Sequence, residues 1–236
     1  MGNRRKIGVI LFLLPPVAGL IAWWFIPPVA QPESYHAFAD HRRILGIPDF
    51  WNVISNFPFA VAGIFGLRAF RDFASRLLFA GILLTTFGSA YYHWSPDTPH
   101  LVWDRLPMTV AFMSLLALVI HISFGAKLGR ALLLPLVAAG LASVAWWHFS
   151  GDLRPYLLVQ FAPMVMIPVA LVFFEIPARR ELWIVVILYG AAKLADAFDA
   201  QIFAVALLSD HTWKHLLAGL ATWSIFKWRK AVNSDW

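Results

Sequence analysis

The residues of this 236-residue chain whose types suit chemistry are few, and they cluster in three short stretches. In GSAYYHWSPDTPHLVWDRLPM, Ser89 and His93 are four apart, and Asp104 follows a turn punctuated by Pro96 and Pro99. In SDHTWKHLLAGL, His211 and His215 repeat that spacing. In PDFWNVISN, Asp49, Asn52 and Asn56 open a further apolar run. Residues four apart share one face of a helix. Two histidines from one helix and a third from another supply three imidazoles and leave a fourth tetrahedral position for water, the ligand pattern of a catalytic zinc site. Zinc lowers the pKa of its water to about 7 and polarises a carbonyl. Asp104 is then placed to take the water's proton and pass it to a leaving amine, and Ser89 to hydrogen bond the oxyanion. The chain has no cysteine, so a bound metal must use His, Asp or Glu.

Each residue also has a plainer reading. A lone His-x-x-x-His is a weak signal, and Ser89 by itself suits helix packing or a bond back to its own helix. Asp104 by itself suits the positive end of a helix dipole. The weight comes from their expected common depth in a membrane, where ionisable groups cost several kcal/mol unless paired or hydrated.

The elements that must position them follow from composition. Apolar residues make up 60% of the chain and charged residues 14%, and the mean hydropathy is +0.69, which excludes a soluble domain and a disordered chain. Apolar runs bounded by charge and Gly/Pro clusters predict spans near 7–26, 51–67, 75–93, 106–124, 131–148, 156–174, 182–199 and 211–227. The expected fold class is all-α: a polytopic membrane helix bundle with a seven-helix core at 51–236. Residues 1–30 form an extra N-terminal transmembrane anchor, and residues 31–50 an interfacial segment on the outer side. The two prolines are expected to end the third span, so that Asp104 opens the fourth at the depth of His93.

Of the 19 Lys and Arg residues, thirteen fall in the connectors on the side of the N-terminus. Only Arg42, Arg43, Arg105 and Arg154 fall on the other. The positive-inside rule therefore puts both termini in the cytoplasm and the polar cluster near the outer face. The net charge of +6 reports orientation rather than a nucleic-acid partner. Trp23, Trp24, Trp51, Trp94, Trp103, Trp146, Trp147 and Trp213 are expected in an aromatic belt at the outer interface.

Ser89-x-x-x-His93, ten residues, Asp104-x-Leu106-Pro107-Met108, then His211-x-x-x-His215 with Leu-x-x-Gly-Leu after it, resembles the alkaline ceramidases and their bacterial relatives. Phe50-Trp51-Asn52-Val53-x-Ser55-Asn56 is similar to that family's first core helix. The likeness covers residues 49–223, and the wider superfamily includes the adiponectin and progestin receptors. It implies zinc on His93, His211 and His215, with Asp104 acting on the metal-bound water and Ser89 on the oxyanion. It also implies a ceramide-like or other N-acyl lipid substrate and residence in a bacterial inner membrane. The family's upstream calcium-binding segment is absent. Asp49 matches its last acid and Asp40 is a positional substitute, with Asn52 and Asn56 as calcium or supporting residues. Lys214 stands where the family often has an aromatic residue, and is expected to snorkel to the interface. Lys193, Asp196 and Asp199 form a second intramembrane polar patch, with a Lys193–Asp196 pair as its structural explanation. His121 and His148 match no motif, and Tyr91 and Tyr92 are expected to pack or line a pocket.

The function expected is thus a zinc-dependent hydrolase of lipid amides. The alternative is a zinc-containing seven-helix receptor or lipid sensor without useful turnover. Haem binding is disfavoured because His211 and His215 share one helix face.

Overall fold

Amides that enter a bilayer must hydrogen bond within their own segment, and the chain meets this demand with helices. The computed structural model describes residues 2–195 and 208–232. Among them the elements are α1 (Asn3–Phe25), a single 3-10 turn (Glu33–His36), α2 (Phe50–Ile54), α3 (Phe57–Ala69), α4 (Phe73–Trp94), α5 (Thr98–Phe124), α6 (Ala126–Ser150), α7 (Arg154–Phe173), α8 (Arg179–Ala195) and α9 (Asp210–Ala231). The protein is an all-α helical bundle. Six segments, counting α2 and α3 together, are long and apolar enough to cross a membrane. Helices also lie where the last two spans are expected. However, α8 is described only to Ala195, and α9, with its histidines and lysines, is too polar on average to join the six.

Two predicted boundaries need correction. The span expected at 51–67 is broken at Ser55–Asn56. The Asn56 amide donates to the carbonyls of Asn52 (2.9 Å) and Val53 (3.3 Å), competing with the helical ladder, and Pro58 in the first turn of α3 has no N–H to continue it. The fourth helix starts at Thr98 rather than near 106, because Pro99 lies in its first turn, where a missing N–H is harmless. Asp97 caps it, accepting from the His100 N–H at 2.7 Å. Asp104 therefore sits well inside α5 rather than at its frayed start.

Neighbour contacts run α3–α4–α5–α7–α8–α9 and back to α3, while α6 packs outside on α5 and α7 and α1 on α7. The α4–α5 seam is close because of glycine. A Cβ at Gly88 would lie 2.1 Å from the Trp103 carbonyl oxygen, and one at Gly81 would lie 2.8 Å from the Ala111 nitrogen. That approach brings the neighbours of Gly88 and Trp103, Ser89 and Asp104, together.

Trp24, Trp94, Trp103, Trp146 and Trp213 are exposed as an interfacial belt requires, but Trp147 is only 2% exposed. It belongs to the core instead, because its ring carries the Arg105 guanidinium 4.2 Å from its centroid.

Candidate metal centre

His93 comes from the last turn of α4, and His211 and His215 from the first turns of α9. Ser209 caps α9, accepting from the Thr212 N–H at 3.1 Å. The Ser209 and Thr212 hydroxyls both donate to Asn52 Oδ1, at 2.7 and 2.8 Å, which docks α2 against the start of α9. The His93 ring centroid is 4.6 Å from that of His211 and 4.9 Å from that of His215. One nitrogen from each ring lies within 4.8 Å of the others, and among the described residues this is the one such cluster of ligating groups.

The donor set fits a metal ion. Neither ring nitrogen of the fully buried His93 has a hydrogen-bond partner among the described residues, whereas buried polar atoms are nearly always bonded. The tautomer of His215 is set by a chain of bonds. Ser55 Oγ donates to the Asn52 carbonyl at 3.2 Å, so at 2.8 Å from His215 Nδ1 it accepts the ring proton. With Nδ1 protonated, Nε2 is the nitrogen that would ligate a metal.

The Ser89 hydroxyl lies beside the Asp104 carboxylate. Both line a cavity of about 280 Å³ together with His215, Lys214, Arg105 and Tyr35. From this polar end the cavity runs down the bundle to Leu78, Leu115, Ile167 and Ile225. Ser89 to Leu78 on α4 and Asp104 to Leu115 on α5 each correspond to about 16 Å of helix, roughly half of a 30 Å hydrocarbon core. The space is close to the lower end of ligand pockets, about 300 Å³.

One sequence expectation changes here. Lys214 does not snorkel: its ammonium donates to His211 Nδ1 at 3.1 Å and lines the cavity, because its position in the first turn of α9 points it inward. The oxygen-bearing residues named for calcium all have partners within the chain. Asp40 is clasped by Arg42 (Nε to Oδ1, 2.7 Å) and Asp49 by His41 (2.9 Å), while Asn52 and Asn56 hold α2 and α9 as described. Burial raises the Asp40 pKa, but the Arg42 hydrogen bonds and charge outweigh this and hold it below the usual carboxylate value. Lys193 lines the cavity, 5.9 Å from the centre of the Phe161 ring, and Asp196 and Asp199 lie outside the described residues. His121 is buried at the end of α5, and His148 rests on Phe149 with centroids 4.8 Å apart. Tyr91 packs on His100 at 4.6 Å, and Tyr92 is buried.

Compared with known proteins, no family model matches the chain and no curated protein matches it. The functional reading therefore rests on the geometry.

Sequence reasoning missed the lid. The 31–50 segment lays Phe38 across the centre, 4.9 Å from His93 and 4.5 Å from His211. His36 fastens the segment with Nδ1 2.8 Å from the Tyr92 hydroxyl and Nε2 3.0 Å from Thr98 Oγ1. Farther back, Asp152 accepts from the Val29 N–H at 3.2 Å and from Arg154, which also donates to the Trp23 and Ile26 carbonyls. Asp152 is held down to about 2, chiefly by its Arg154 hydrogen bond. No periodicity marks these residues. The one usable signal was a buried-type aromatic, Phe38, in an otherwise polar connector.

Proposed function

We propose that the protein is an integral-membrane, zinc-dependent hydrolase that cuts a long-chain N-acyl lipid into a fatty acid and an amine. The observation that carries this reading is the fully buried, unbonded His93 facing His211 and His215 at the polar end of an apolar cavity. Zinc is the ion chosen because three neutral imidazoles without thiolates suit it. Bound by the three histidines, it would supply Lewis acidity for activating water and polarising the amide carbonyl.

The protein's own groups do the rest. The cavity takes the acyl chain along the bundle and keeps the amide at its polar end, among Ser89, Asp104 and His215. Asp104 is the one carboxylate among the described residues lining that space. It accepts a proton from the attacking water and returns it to the leaving amine nitrogen. Ser89 orients it. Once protonated, the Asp104 carboxyl can donate to Ser89 Oγ, which frees the serine proton for the carbonyl oxygen as negative charge grows there.

The basic-residue bias supports an orientation with both termini in the cytoplasm and the metal centre near the outer face, and the overall motif likeness supports an alkaline-ceramidase-like enzyme. Purified protein should carry one zinc per chain and release fatty acid from a long-chain N-acyl lipid. His215→Ala should lose most of the bound metal and all measurable turnover. Stoichiometric zinc that survives this substitution would sink the assignment.

A further inference from the structure

Arg105 follows Asp104 on α5 and lines the same cavity, yet it is only 5% exposed. A guanidinium has five N–H donors. Nη2 donates to Gln31 Oε1 at 2.7 Å, and Nη1 is buried with no hydrogen-bond partner among the described residues. Among the described residues no carboxylate is within ion-pair distance of it. The group is fixed in place, 4.2 Å from the Trp147 centroid and 4.4 Å from that of Tyr156. Tyr35 lies between two cations, with Arg105 5.6 Å and Lys214 5.8 Å from its ring centre.

A neutral amide would leave this rigid cation with its donor unmet beside the metal centre. Arginine at membrane depth otherwise pairs or marks a ligand path, and its planar fork matches a carboxylate or phosphate. We propose that the substrate's head group is anionic and that Arg105 receives it, with Tyr35 and Lys214 on its other sides. The substrate class is then an N-acyl lipid whose amine portion bears a carboxylate or a phosphate, such as an acylated amino acid, rather than a neutral ceramide. This rests on the amide-hydrolase reading for the reaction but not for the binding.

The test uses the full chain in neutral detergent with three probes that share one acyl chain: N-palmitoylglycine, phosphorylated N-palmitoylethanolamine and uncharged N-palmitoylethanolamine. Binding is measured by equilibrium dialysis and turnover by palmitate release. At least one anionic probe should bind at least about tenfold more tightly than the uncharged one, and Arg105→Gln should cut that preference about 10- to 100-fold, the usual range for a charged hydrogen bond. The probe that shows the preference identifies carboxylate or phosphate. Equal binding of all three, or a preference that Arg105→Gln leaves intact, overturns the proposal. Should that variant fail to fold, Arg105→Lys replaces it, since a lysine lacks the planar fork and must weaken the wild-type preference. Anion binding through Arg105 with no amide cleaved would remove the hydrolase reading and leave this site standing. Cleavage without anion preference would do the reverse.

Discussion

The two ends of the bundle each bury an arginine, and they treat it in opposite ways. Arg229, 5% exposed near the end of α9, donates to Ser75 Oγ (2.7 Å), Asp72 Oδ2 (3.0 Å) and the Val232 carbonyl (2.8 Å). Its charge is neutralised, and it ties the end of α9 to the start of α4. Arg105, equally buried at the other end, has a neutral amide, aromatic faces and a spare donor. The same contrast holds for histidine, since His36 has both nitrogens engaged and His93 has neither. Satisfied polar groups hold this bundle together. Two unsatisfied ones, His93 and Arg105, sit at the metal centre and its cavity, where a ligand can complete them.

Substitutions at the two ends should therefore fail differently, and the largest effect is expected at Asp104. Asp104→Asn keeps the size and an acceptor for Ser89 but removes the base. Turnover should fall by about 10²- to 10⁴-fold, the usual worth of a positioned acid or base, with metal content and thermal stability near wild type. Turnover within a few-fold of wild type would show that Asp104 is not the base. Next comes Arg229→Leu, which strands the partly buried Asp72 carboxylate. We expect about 3 kcal/mol of destabilisation, the low end for a broken buried pair, measured by denaturant unfolding in micelles. Metal bound per folded molecule should be unchanged, because the pair lies at the end of the bundle away from the histidines.

How much of this contrast was legible in the sequence depends on whether a residue sits in a periodic element. His93, His211 and His215 were readable because i, i+4 spacing fixes a shared helix face, and Ser89 and Asp104 because they flank one helical hairpin. The all-α fold was readable from apolar runs alone. Asp104's true position in α5 was not, because Pro99 serves equally as a helix stop or as a first-turn residue. His36 and Gln31 are not legible because an irregular connector has no period, Phe38 shows only as an aromatic in that connector, and Arg105 reads as a topology marker because its charge gives no hint of burial. Lys214 was misread for a related reason: the side chain's length allows either direction, and only the packing of α9 decides.

A smaller effect should come from behind the metal centre. Ser55→Ala removes the acceptor that sets the His215 tautomer without touching the ligand itself. Such supporting contacts are worth about 10- to 100-fold in metal affinity, so chelator competition should show zinc lost at correspondingly lower chelator concentration. An unchanged affinity would mean that the ring is oriented by packing alone, for instance by Phe59, whose ring lies 6.4 Å from that of His215.

The smallest effect concerns the lid, the one satisfied element that must yield for a substrate to reach unsatisfied groups. Burial holds the His36 pKa below its ordinary value of 6.5; Glu33 and Asp97 oppose this, and the Arg105 charge adds to it. A released segment regains the ordinary value, so it binds a proton more tightly than the docked one. The stabilisation from neutral His36 is fully present above pH 6.5 and is lost as the pH falls below it, towards the lower docked value. Hydrogen exchange of residues 31–40, corrected for intrinsic rates, should therefore quicken between pH 7.5 and pH 5.5, while the amides around Arg229 do not change. His36→Gln should abolish the pH dependence, because glutamine keeps a hydrogen-bonding side chain but does not titrate. If the lid instead loosens equally with glutamine in place, the pH response comes from another group and His36 is only a latch.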